Sequence, residues 1–250
     1  MRYFIYLSYL GRSYHGWQKQ PNAVTVQEVI EKSLSTIMGE KIEIVGAGRT
    51  DTGVNAKTMV AHFDTIMDFE PEDLTRRLNS LLPQDIAIKH IRTVVDTAHA
   101  RFSAISRSYK YYLYFEKTPF LTHLAYRHFR PLDFERMNEA AKIMLEEKDF
   151  TSFSKLHTDN LTNICQVSEA NWAKDGEVWV FSISANRFLR DMVRATVGTL
   201  LWVGEGKKTV NEFRQIINAK DRNKAGQSVP AQGLYLTDVV YPKEIFIDIL

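Results

Sequence analysis

Residues 2–39 read RYFIYLSYLGRSYHGWQKQPNAVTVQEVIEKSLSTIMG, and the hydrophobic period changes once along them. Residues 2–9 are aromatic and β-branched, the composition of a strand. Gly11 to Pro21 reads as a loop. From Thr25 the period becomes helical, with Val26, Val29, Ile30, Leu34, Ile37 and Met38 on one face. Thr25 followed three residues later by Glu28 predicts a capping box, and Gly39 predicts the stop. Strands are then expected over Lys41–Val45 and Thr58–Phe63, on either side of a tight polar loop from Gly46 to Gly53. A helix from Pro71 to near Leu82 and a strand over Ile86–Val95 follow. The order β-α-β-β-α-β is the ferredoxin-like pattern.

The second half repeats that order. A strand is expected over Ser108–Phe115, and a helix capped by Asp133 runs to about Glu146. Strands over Cys165–Trp172 and Val178–Ser184 join through a turn at Asp175-Gly176. A long apolar helix spans Phe188–Val203, a shorter one Val210–Asn218, and a strand over Leu234–Tyr241 closes the chain. The expectation is an α+β protein of two ferredoxin-like, RNA-binding-like lobes. Their sheets are mainly antiparallel and meet around a central cleft. Residues 1–105 form one lobe and 106–250 the other. Small sheets of this kind serve as RNA-binding platforms, and clefts between lobes hold sites.

Composition excludes several classes. Of the 250 residues, 44% are hydrophobic and 25% charged, which is globular usage. The single cysteine, Cys165, permits no internal disulfide and points to a reducing compartment, so a cytoplasmic, soluble protein is expected. The N-terminus lacks the pattern of a signal peptide. The seven histidines are scattered, His123 and His128 are poorly spaced for a metal, and no metal site is expected. Lys and Arg total 32 against 30 Asp and Glu, so the net charge of +2 does not by itself indicate nucleic acid.

The most informative stretch is GAGRTDTGVNA, residues 46–56. Three glycines in eight residues allow positive φ and close backbone approach. The residues alone leave three readings open: a turn in which Asp51 caps the backbone, a phosphate cradle, or a catalytic carboxylate. The cradle lacks the following Lys-Ser/Thr pair.

This loop resembles the signature G-x-G-R-T-D-A-G-V-H-A of the tRNA pseudouridine synthase A family. Other blocks agree in order. Gly11, Ser13, Tyr14, Gly16, Trp17, Gln18 and Gln20 resemble G-x-S-Y-x-G-W-Q-x-Q. Residues 99–104 (HARFSA) with Arg107, Tyr109 and Tyr111 resemble H-A-R-F-S-A…R-x-Y-x-Y. Residues 149–153 (DFTSF), the segment Asn186–Arg194 and residues 230–236 (PAQGLYL) match further blocks over nearly the whole chain. The resemblance implies an isomerase that detaches uracil from its ribose, turns it and rejoins it through C5, with no cofactor or metal. It implies tRNA as partner, with uridines 38 to 40 of the anticodon stem-loop as targets, and a homodimer sharing one tRNA. By position Asp51 matches the catalytic aspartate and Tyr109 the tyrosine against the target base. Arg49 and Arg194 match the arginines of the active site.

The residue types suit that chemistry. A carboxylate serves as nucleophile or base; attack at C1′, addition to C6 and removal of the C2′ proton all remain open. Desolvation would raise its pKa, and a neighbouring guanidinium would keep it ionised and oriented. Arg194 is assigned that pairing, because an arginine inside an apolar helix needs a buried partner. Arg49 is assigned to RNA phosphate. A stem uridine must be flipped out, and stacking on Tyr109 offsets part of the unstacking cost. Tyr109 is also placed to relay a proton, whereas Tyr111, Tyr112 and Tyr114 read as core aromatics.

Four positions depart from the family pattern: Leu10 for Asp, Thr52 for Ala, Asn55 for His and Cys165 for Arg. Cys165 reads as a buried apolar residue. A non-catalytic RNA-binding protein on the same scaffold is the alternative. A nucleotide-binding Gly-loop protein is a third reading. The charge is unevenly spread. Residues 99–130 carry Arg101, Arg107, Lys110, Lys117, Arg127 and Arg130 against Glu116, and residues 207–224 form a second basic segment. Arg101, Arg107 and Lys110, flanking Tyr109, are expected to bind substrate phosphates along a basic cleft.

Overall fold

The computed structural model describes residues 1–155 and 162–247. The elements are β1 (Arg2–Tyr9), α1 (Val26–Met38), β2 (Val45–Gly46), β3 (Asn55–Asp64), α2 (Pro71–Leu81) and β4 (Ile86–Val94). They continue with β5 (Ser106–Tyr114), β6 (Tyr126–Arg127), α3 (Phe134–Ile143), β7 (Val167–Asp175), β8 (Val178–Ala185), α4 (Met192–Gly204), α5 (Val210–Asn218) and β9 (Leu234–Val240). This is the expected α+β class, with mainly antiparallel pairing. Two compact units are formed. One holds Met1–Ile105 and the chain from Leu236 onward; the other holds Ser106–Tyr235.

In the first unit the order β-α-β-β-α-β is present as expected. β1 is central, antiparallel to β3 on one side (Ile5 opposite Ala61) and to β4 on the other (Ile5 opposite Ile91). Phe4, Ile5 and Leu7 are fully buried, as are Ile30, Leu34 and Leu78 from the two helices. α1 starts where Thr25 Oγ1 accepts from the Glu28 N–H and stops at Gly39, whose φ of 72° no helix can continue. The segment Leu236–Val240 of β9 lies beside β3, and the Tyr241 hydroxyl then donates to the Ala100 carbonyl at 2.6 Å.

The expected strand over Lys41–Val45 shrinks to Val45–Gly46. Ile42 and Ile44 are buried and alternate as read, but side chains of α1 take their N–H groups. Ile42 donates to Ser35 Oγ at 2.9 Å and Ile44 to Glu31 Oε1 at 3.1 Å, so no strand partner is needed.

In the second unit β5 pairs antiparallel with β8 and β8 with β7, while the short β6 runs parallel to β5. α3 packs on β7, α4 and α5 around buried Met137, Val197, Leu200 and Phe213. Asp133 caps α3 as expected, through Arg136 N at 3.0 Å. The helix ends at Ile143 rather than Glu146, because Leu145 and Glu146 bond three residues back and tighten the last turn. The apolar helix begins at Met192 rather than Phe188. Asp191 sits at φ 66°, a left-handed conformation through which a right-handed helix cannot run.

Candidate active site

Asp51 stands at the first position of a turn closed by the Val54 N–H donating to the Asp51 carbonyl at 3.1 Å. Gly53, third in that turn, has φ 79°, which a side chain would resist. Gly46 and Gly48 do not use positive φ, contrary to the loop reading. Gly46 is required by the Trp17 indole instead, since a Cβ there would lie 2.4 Å from its Nε1.

The segment Gly11–Trp17 clamps this turn from outside. The Trp17 N–H donates to the Thr50 carbonyl at 3.3 Å, and the hydroxyls of Tyr9 and Thr50 are 2.8 Å apart. Gly16, at φ 85°, would place a Cβ 2.3 Å from the Thr50 oxygen, and Gly11 would place one 2.1 Å from the Val54 oxygen. The buried Gly11 N–H donates to Asn55 Oδ1 at 2.8 Å. Two separate sequence motifs thus form one object, whose backbone contacts hold Asp51 half-buried while Arg49 and Thr52 are exposed. Asn55 is 2% exposed. Its substitution for His keeps an acceptor at the Gly11 N–H, a role the sequence signalled only as a departure.

In the second unit Tyr109 lies on β5 opposite Ile183 of β8, half-exposed. Its ring meets Phe188 edge-on at 5.0 Å. Phe188 reads from spacing as helix core. It is instead an irregular, half-buried residue outside α4, and Tyr109 is what it packs against. Arg107, two residues before Tyr109, shares its face of the strand and donates from Nη1 to the Asn186 carbonyl at 2.9 Å. Lys110 is exposed and faces the other way, so it does not line the surface that Tyr109 presents. Arg101 belongs to the first unit, exposed, with its guanidinium 5.4 Å from the Phe102 ring centre.

Arg194 occupies the first turn of α4, its side chain 20% exposed. Its Nε donates to the Val229 carbonyl at 2.8 Å, and its Nη1 lies 3.3 Å from Asp191 Oδ1. The sequence reading pairs Arg194 with Asp51; the acid beside it in its own unit is Asp191, which the spacing does not single out. Cys165 is fully buried, and burial pushes its thiol up to about 11, which suits the apolar reading. Among the described residues no three His, Cys, Asp or Glu side chains are placed to share a metal ion.

The first unit carries a half-buried aspartate on a clamped turn, and the second carries a half-exposed tyrosine and a largely buried arginine. Residues 5–103 and 140–242 match the family described as tRNA pseudouridine synthase. The chain belongs to that family of isomerases. It is 55% identical over 249 residues to the tRNA pseudouridine synthase A of Parabacteroides distasonis, covering 98% of each chain. Identity to the protein of that name from Porphyromonas gingivalis is 55% over 251 residues, covering 98% of this chain and 99% of the other. With that from Colwellia psychrerythraea it is 42% over 246 residues, covering 97% and 95%.

Proposed function

We propose that this protein converts uridine to pseudouridine in the anticodon stem-loop of tRNA, at positions 38, 39 and/or 40, with Asp51 as the essential catalytic group. The observation that carries the reading is the clamp on the Asp51 turn. It fixes a carboxylate without covering it, as a nucleophile or base that must meet a flipped nucleotide requires. In this reading Arg194 pairs with Asp51 and orients it. Tyr109 stacks on the extruded uracil, backed by Phe188, and its hydroxyl is placed to relay a proton. Arg49, Arg101 and Arg107 contact the RNA backbone, and Lys110 contacts it from the opposite face of β5. The enzyme works in the cytoplasm as a homodimer sharing one tRNA. No helix among the described residues is long and apolar enough to cross a membrane.

Release of tritium from tRNA labelled at uracil C5 measures the reaction directly. Asp51→Asn is expected to abolish release while retaining tRNA binding. Release by the Asn variant at the wild-type rate would sink the assignment. No release by the wild type with several tRNAs would favour a non-catalytic RNA-binding protein.

A further inference from the structure

Asp191 makes its charged contacts within its own unit. One carboxylate oxygen lies 3.3 Å from Nη1 of Arg194. The other accepts from the Ser228 hydroxyl and lies 3.8 Å from Nη2 of Arg222. Arg222 in turn donates to the Gly226 carbonyl at 3.0 Å and to Ser228 Oγ at 3.1 Å. The side chains of Asp191 and Arg222 are 16% and 18% exposed. Asp191 precedes α4 directly, yet its carboxylate makes no capping bond to the helix. Helix capping therefore does not account for an aspartate here.

We propose that Asp191, braced by Ser228 and Arg222, is a positioning residue that sets the orientation of the Arg194 guanidinium for the isomerisation. The inference rests on the reading of Arg194 as the partner of the reacting carboxylate. A guanidinium is a planar fork, and its value to a carboxylate depends on which edge is presented. The Val229 carbonyl on Nε and the Asp191 carboxylate beside Nη1 hold the guanidinium at two separate nitrogens, which fixes its plane. Arg222 and Ser228 hold the Asp191 carboxylate in place. The long arginine side chain is thereby ordered before substrate arrives, and a misplaced charge is the kind of error that lowers turnover more than binding.

The backbone supplies the test variants. At φ 66° an alanine would be strained, whereas glycine and asparagine accept that conformation. Asp191→Gly removes the carboxylate without backbone strain; Asp191→Asn keeps an acceptor oxygen of the same reach. Steady-state tritium release and thermal midpoints are compared with those of Arg194→Ala and of Arg194→Ala/Asp191→Gly.

The Gly variant is expected to lose about tenfold to a hundredfold in kcat, with KM for tRNA within about twofold and the midpoint little changed. Asp191→Asn is expected to recover most of that loss, and the double variant to be no worse than Arg194→Ala alone. The proposal is overturned by wild-type kcat in Asp191→Gly, by a loss confined to KM, by an Asn variant as impaired as the Gly variant, or by additive losses in the double variant. Wild-type activity in Arg194→Ala would instead overturn the reading of Arg194 itself. An inactive Arg194→Ala beside a fully active Asp191→Gly would leave that reading standing and remove only this one.

Discussion

Asn55 shows how much a single residue can carry beside a reacting group. Its side-chain oxygen accepts from the Gly11 amide, and both residues are buried away from water. Removing the acceptor leaves a buried N–H unsatisfied, which costs about 1–3 kcal/mol. Asn55→Ala is therefore expected to be destabilised by about that amount in urea unfolding. Because Gly11 packs on the far end of the Asp51 turn, kcat should fall as well. Unchanged stability would mean the amide finds another partner. Motif residues at this scale were readable as types and spacings. Their purpose was not, because Gly11, Gly16 and Trp17 act through residues 46–55, which are distant along the chain and adjacent only once it has folded.

Among the elements, α5 has the most complete local specification. Thr209 Oγ1 accepts from the Glu212 N–H at 3.1 Å, and Glu212 Oε2 accepts from the Thr209 N–H at 2.8 Å, a full capping box. Lys208 and the two Thr209 bonds hold the Glu212 carboxyl down at about 2. Thr209→Ala is expected to cost about 0.5–2 kcal/mol, read as a lower thermal midpoint with activity preserved below it. Helices were legible: α5 runs where its spacing places it, and α1 where spacing, cap and stop place it, with only the Thr25 half of the expected capping box formed. The start of α4 was not, because the apolar spacing continues upstream through Leu189 and Phe188 while the backbone reverses hand at Asp191. The strand after α1 was misread for a related reason, since alternation reports burial and says nothing of which groups take the backbone bonds. Tyr111 and Tyr114 are buried as their strand composition suggested, and the Tyr111 hydroxyl is satisfied by the Pro230 carbonyl at 2.9 Å.

Across the whole molecule, the near-zero net charge hides a segregation that sequence only half reveals. Much of the second basic segment is ion-paired, within itself and to acids outside it. Lys207 pairs with Glu205, Lys208 with Glu212 at 2.8 Å, Arg214 with Glu146 and Glu147 at 2.6 and 3.1 Å, and Lys220 with Asp149 at 2.9 Å. Lys110 and Lys117 are exposed, and among the described residues neither has an acidic partner. Affinity for tRNA should therefore depend on the first segment. Lys110→Ala and Lys117→Ala are each expected to weaken binding. Each should also make log Kd less steep against log salt, by about one unit of slope per phosphate that the lysine had neutralised. Lys208→Ala and Lys220→Ala should leave the slope nearly unchanged. The reverse pattern would place the RNA on the other segment.

The return of the last strand to the first unit also orders events in time. β3 acquires its β9 neighbour only from residues after Leu236, although β3 itself ends at Asp64. During synthesis the first 105 residues leave the ribosome with that edge covered only by β2, at Ala61 and His62, while the whole intervening unit is made. At bacterial elongation rates this lasts on the order of ten seconds. An open strand edge invites pairing with other chains. The nascent chain thus carries its Asp51 turn on an unfinished sheet until β9 is made, and a fragment truncated before Leu236 is expected to aggregate.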